Sequence, residues 1–181
     1  MTENAHVLVT PRLRLRPLQA RDGPALQRHW TDPAVRRFLW DDAVIPPHQV
    51  EAIVAESERL FADEGFGLWA LQAHEETDLI GCGGYWYFHE PPQRELVLSL
   101  TPSRWGRGLA TEAGHALLAY AFDRLGVCEV HASTDAPNSA SLRLIDRLGF
   151  APTHRAEAEG LDTVFFRLTA SSYRTSPLRS A

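Results

Sequence analysis

Apolar and polar residues alternate strictly along Arg12-Leu13-Arg14-Leu15-Arg16, which predicts a strand with one face buried. The period then changes. Ala25, Leu26 and Trp30 recur at helical spacing behind Asp22, a residue suited to cap a short helix, and Asp32-Pro33 breaks that helix. A second helix is expected after Pro46-Pro47, carrying Val50, Ile53, Val54, Leu60 and Phe61 and ending at Gly65 and Gly67. Three strands follow: Phe66–Ala73 around Trp69, Leu79–Phe88 with glycines at 81, 83 and 84, and Glu95–Leu100. In the last of these Leu96, Leu98 and Leu100 share one face, and Glu95, Val97 and Ser99 share the other.

Beyond Pro102 the character changes again. Gly106-Arg107-Gly108 opens a helical pattern from Leu109 to about Leu125, closed by Gly126. A strand is expected over Val127–Ser133 and a short helix over Asn138–Leu148, stopped by Gly149. Phe150 and Thr163–Leu168 suggest a final strand pair, and the polar stretch Ser171–Ala181 reads as a loose tail. With no repeat, linker or low-complexity segment, this order predicts one domain over residues 1–170. Its class is α/β, in the form of an α+β mixed sheet with packed helices and a three-strand antiparallel meander.

Composition narrows the function. With 181 residues and 44% hydrophobic content, the chain has ample material for a core. A formal charge of -5 argues against general nucleic-acid binding, which needs a basic surface, and suits a cationic substrate slightly better. Cys82 and Cys128 stand far apart, as expected of two reduced, buried thiols. Met1–Thr10 lacks the pattern of a signal peptide, and no apolar run is long enough for a membrane span, so a soluble cytoplasmic protein is expected.

The stretch richest in chemistry is Trp105-Gly106-Arg107-Gly108-Leu109-Ala110-Thr111-Glu112. Two glycines let a backbone approach a ligand closely, and the first turn of a helix offers unpaired N–H groups, together a site for a pyrophosphate. A plain glycine turn would look the same. A Walker A loop is excluded by the missing Lys-Ser/Thr ending. The dinucleotide fingerprint fails at its third glycine, replaced by Thr111, and Glu129 lies too early in its strand to hold a ribose.

Asn138-Ser139-Ala140-Ser141, leading to Leu148-Gly149-Phe150, decides between the readings. Taken with Thr10 to Arg16, Leu79-Ile80-Gly81, Glu95 to Leu100 and Trp105 to Ala113, it makes the chain resemble the GNAT superfamily of acyl-CoA N-acyltransferases. Within that superfamily it is similar to the RimJ/RimL branch of ribosomal-protein alanine N-acetyltransferases. The resemblance covers nearly the whole chain. It implies the GNAT fold, a central and mostly antiparallel sheet with helices on both faces, and acetyl-CoA as co-substrate. The family loop pattern Gln/Arg-x-x-Gly-x-Gly/Ala falls on Trp105 to Ala110, with Trp105 departing from its first position. By resemblance, N–H groups around Arg107, Gly108, Ala110 and Thr111 hold the CoA pyrophosphate, and Arg107 adds charge unless it is simply a solvated surface residue.

Asn138 matches the family asparagine near the pantetheine arm, and also reads as a helix N-cap. The general-acid tyrosine of many members falls on Ile145, so Ser141 replaces it as the candidate proton donor. Glu95 is the candidate general base, since a primary amine is largely protonated near neutral pH and needs deprotonation before attack. Its plain alternative is an exposed strand-end glutamate. A backbone N–H near Leu98 or Ser99 is placed to hold the oxyanion.

Family analogy puts the acceptor near Trp40, Asp41, Asp42, Tyr85, Trp86, Tyr87, Phe88 and His89, where the aspartates would attract a cationic amine and the aromatics could equally be core. No H-x-x-x-H spacing occurs, so no metal is expected. The resemblance thus implies an N-acetyltransferase acting on a primary amine, a protein N-terminus or a small molecule, by direct attack in a ternary complex. A non-catalytic CoA-binding regulatory module stays open as the alternative, as does a homodimer.

Overall fold

The computed structural model describes residues 5–74, 76–88, 92–158 and 160–175. The described residues group into two compact units. One comprises Met1–Tyr85 with Val97–Ala116, the other Trp86–Leu96 with Leu117–Ala181.

The first unit begins with β1 (Leu8–Val9) and β2 (Leu13–Pro17). The alternation in β2 does what it predicts: Leu13 and Leu15 are fully buried while Arg14 is exposed. A 3-10 turn at Ala20–Asp22 leads into α1 (Gly23–Thr31). Asp22 stands at the N-cap of α1, but its carboxylate turns away from the helix. It accepts both Arg16 guanidinium nitrogens at 2.7 Å and the Gln19 N–H at 2.9 Å. Burial opposes that charge, yet Arg16 and the Gln19 amide outweigh it and hold the Asp22 pKa below the usual range.

Asp32-Pro33 ends α1 as expected, and also starts a helix the pattern does not predict, α2 (Pro33–Leu39). Asp32 Oδ1 accepts the Ala34 N–H at 2.8 Å and Pro33 fills the first helical position, a favoured helix start. Next comes α3 (Pro47–Glu64), ended by Gly65 in the left-handed region at φ 76°.

Strands β3 (Leu68–Ala73), β4 (Gly81–Trp86) and β5 (Glu95–Leu100) lie within the three predicted runs, β5 with the predicted ends. The strand order here is β1-β2-β3-β4-β5, antiparallel from β1 through β4, with Leu15 opposite Leu71 and Ala70 opposite Cys82. Leu13, Leu15, Leu26, Leu60, Phe66, Trp69 and Tyr85 form the core of this unit. Gly81 sits where β4 and β5 touch: a Cβ there would lie 2.3 Å from the Ser99 carbonyl oxygen. Gly81→Ala must therefore push the two strands apart. It is expected to cost about 2 kcal/mol in chemical denaturation, as overpacking does.

A 3-10 turn at Pro102–Arg104 precedes α4 (Leu109–Ala119), which passes into the second unit. The predicted helix to Leu125 ends differently. Tyr120–Arg124 forms a wide π turn, with the Leu125 N–H bonded to the Tyr120 carbonyl at 3.0 Å.

The second unit continues with β6 (Glu129–Asp135), α5 (Ser139–Arg147), β7 (Ala151–Ala158), β8 (Leu161–Thr169) and α6 (Ala170–Thr175). β8 lies between β6 and β7, antiparallel to both, and Glu95 at the start of β5 is the parallel partner of His131. Pairing of both kinds, with helices between strands, makes this a mixed α/β fold. Phe122, Val130, Ala132, Ile145, Leu148 and Leu168 are buried in this core.

Two expectations are corrected here. The start of the loose tail is helical, with Tyr173 of α6 stacked on Phe122 at 4.6 Å; residues 176–181 lie outside the description. Cys82 is buried in β4 as expected, but Cys128, in the turn before β6, is exposed. No helix among the described residues is long and apolar enough to cross a membrane.

Candidate active site

In the first unit, the predicted anion loop is an exposed turn between β5 and α4. Gly106 and Gly108 adopt φ 71° and 75°, a left-handed backbone that other residues rarely take. A Cβ at Gly106 would meet nothing within 4 Å, and one at Gly108 only Arg12 Nη2 at 3.5 Å. The position a side chain would take is therefore open at Gly106, and at Gly108 it meets only the Arg12 guanidinium. Ala110 and Thr111 occupy the first turn of α4, where N–H groups lack partners within the helix. Arg107 is exposed. Trp105, at the departing position of the family pattern, is half exposed, yet its indole N–H donates to the Leu100 carbonyl at 2.7 Å and ties the loop to the end of β5.

Leu98 and Ser99 lie half-buried in β5. The Ser99 Oγ is 2.9 Å from His29 Nε2, a contact that sequence reading missed. His29 follows Leu26 by one helical turn, so its place on the buried face of α1 was visible in the spacing. It is 6% exposed, and its Nδ1 has no hydrogen-bond partner among the described residues. Burial lowers its pKa to about 4, with Asp32 pulling weakly the other way, so the ring is neutral at pH 7.

Of the acceptor candidates in this unit, Tyr85 is core: it is 1% exposed and packs edge-on against Phe66 and Trp69. Trp40 is half-buried with its ring edge to Trp30, centroids 5.2 Å apart. Asp41 and Asp42 are exposed and both left-handed, at φ 50° and 62°. The Asp42 carboxylate is paired with Arg36 at 3.0 Å.

In the second unit, Glu95 is not the exposed strand-end residue of the plain reading, for it is 3% exposed. Its Oε2 accepts the Ser133 hydroxyl at 2.7 Å. Ser133 lies two residues beyond the pairing partner His131 and therefore faces the same side of the strands. Sequence reading offered no signal for that contact across 38 positions.

Asn138 caps α5, its Oδ1 accepting the Ser141 N–H at 3.2 Å. Ser141 is half-buried, and Ile145, where the resemblance would place a tyrosine, is a 6% exposed core residue. Trp86 and Tyr87 are half-buried and Phe88 is exposed; His89 lies outside the described residues. Among the described residues no cluster of three His, Cys, Asp or Glu could hold a metal ion.

Comparison with known proteins places the chain among acetyltransferases. The chain is 25% identical over 173 residues to p20 of Bacillus licheniformis, an uncharacterized N-acetyltransferase, covering 92% of this chain and 97% of that one. It superposes on an acetyltransferase from Agrobacterium tumefaciens with a TM-score of 0.78 at 24% identity, over 90% of this chain and 93% of that one. A GCN5-related N-acetyltransferase from Brucella melitensis gives 0.73 at 20% identity, over 96% and 82%. The family model of the GNAT acetyltransferase domain matches residues 12–151, a span that includes β2, the glycine loop and α5, and the chain therefore belongs to the GNAT family of acetyltransferases.

Proposed function

We propose that this acetyltransferase uses acetyl-CoA as co-substrate and acetylates a primary amine by direct attack in a ternary complex. The observation that carries the reading is the pair of left-handed glycines in the exposed loop that opens α4. In the first unit, N–H groups of Arg107, Gly108, Ala110 and Thr111 hold the pyrophosphate, the Arg107 side chain adds charge, and a backbone N–H at Leu98 or Ser99 meets the oxyanion. In the second unit, Asn138 binds the pantetheine arm, Glu95 takes the amine proton directly or through water, and Ser141 protonates the departing thiolate.

The amine nitrogen bonds to the thioester carbonyl carbon, and collapse of the tetrahedral intermediate breaks the carbon–sulfur bond. Trp40 and Asp41 are the acceptor candidates of the first unit and Trp86 that of the second; Asp41 offers an exposed negative charge to a cationic amine. The run from Thr10 to Arg16, together with Trp105 at the head of the loop, favours the RimJ/RimL branch and hence a protein N-terminal α-amine over a small-molecule amine.

Calorimetric titration with acetyl-CoA, with NAD as control, tests the reading. Micromolar binding of acetyl-CoA and none of NAD is expected, while no acetyl-CoA binding by folded protein would overturn it. Gly108→Val places a β-branched residue at φ 75° and blocks backbone approach, so a Kd at least about tenfold higher is expected. An unchanged Kd would remove the loop from the binding site.

A further inference from the structure

Four hydrogen bonds tie the glycine loop and the start of α4 to the strand-entry residues Thr10 and Arg12, about a hundred positions earlier in the chain. The Glu112 carboxylate accepts the Thr10 hydroxyl at 2.6 Å and the Arg12 backbone N–H at 2.8 Å on Oε1, and Arg12 Nε at 2.6 Å on Oε2. The same guanidinium reaches onward, and its Nη1 donates to the Arg107 carbonyl at 2.8 Å. Burial works against the Glu112 carboxylate, but these donors hold its pKa below the usual range.

The bond to Arg107 has a geometric consequence. In a trans peptide the carbonyl of one residue and the N–H of the next lie in one plane and point in opposite directions. Holding the Arg107 carbonyl against Arg12 therefore aims the Gly108 N–H away from the guanidinium. That is one of the N–H groups assigned above to the pyrophosphate. Rotation of this peptide unit, which Gly108 on its C-terminal side would otherwise ease, is restrained.

We infer that Arg12, anchored by Glu112 and Thr10, is a positioning residue that presets the loop for a phosphate ligand, an inference that rests on the acetyl-CoA reading above. Arg12 works through geometry rather than field, because its charge is neutralised by Glu112 at 2.6 Å. Only arginine fits: its planar fork bridges a carboxylate and a carbonyl at once, whereas lysine presents a single ammonium.

The test compares acetyl-CoA with S-acetylpantetheine, which lacks the phosphates, by titration against folded wild type, Arg12→Lys and the charge-neutral pair Arg12→Ala with Glu112→Gln. Arg12→Lys keeps the charge at an exposed position and is expected to fold. Both variants are expected to bind acetyl-CoA about tenfold more weakly and S-acetylpantetheine within about twofold of wild type, since a lost preset orientation is felt only by the phosphate. Wild-type affinity for acetyl-CoA in Arg12→Lys, or equal weakening toward both ligands, would overturn the clamp. If the wild type bound no acetyl-CoA, the underlying reading would fall and the clamp with it.

Discussion

Lowering the pH from about 6.5 to about 5 is expected to cost the wild-type protein about 2 kcal/mol more stability than it costs His29→Gln. His29 has a folded pKa of about 4, against about 6.5 in an unfolded chain. Between those values the unfolded state takes up a proton that the folded state refuses. Stability from this residue is therefore complete above about pH 6.5 and is lost as pH falls toward 4, at about 1.4 kcal/mol per unit. Over the whole interval the loss reaches about 3 kcal/mol. The physical cause is burial: a charged ring would lose its hydration, and its Nδ1 has no partner among the described residues. Glutamine does not titrate and can still donate to Ser99. Urea unfolding at several pH values in this range measures the difference. His115, whose pKa burial also lowers, adds slope to both proteins equally and cancels in the comparison. Parallel pH profiles for the two proteins would show that His29 is readily protonated in the fold.

Glu95→Gln is expected to reduce kcat about a hundredfold and leave the Kd for acetyl-CoA within about twofold. The substitution keeps the shape of the side chain and removes its ability to take a proton. Its setting favours a role other than solvation: it is 3% exposed at the head of β5, with one oxygen held by Ser133 at 2.7 Å. Steady-state kinetics with an amine that the wild type acetylates, alongside calorimetry for acetyl-CoA, separates the two parameters. Unchanged turnover would show that Glu95 is not the base, and parallel loss of affinity would make it a structural residue of the second unit.

Much of the fold was legible in local pattern. The alternation in Arg12 to Arg16 and in Glu95 to Leu100 located β2 and β5, because a half-buried strand imposes a period of two on its own residues. Proline and glycine marked the bounds of α3, and Gly106 and Gly108 stand in the loop where left-handed backbone is needed. α2 was hidden because Asp32-Pro33 is both a stop and a start, and only the Asp32 cap on Ala34 shows which. Helical periodicity from Leu109 to Leu125 could not reveal the π turn at Tyr120–Arg124, since the change of one residue per turn alters hydrogen bonding more than pattern.

The sequence by itself determined the strand and helix order, the glycine loop, and the family those residues resemble, because each depends on neighbours a few positions apart. Tertiary structure alone decided what surrounds the chemical groups. It buried Glu95 against Ser133, set neutral His29 against Ser99, turned Asp22 from its helix to Arg16, and placed Tyr85 in the core. It also brought Arg12 to Glu112 across 100 positions. A side chain's environment is made by residues remote in sequence, and no local period records which of them will arrive.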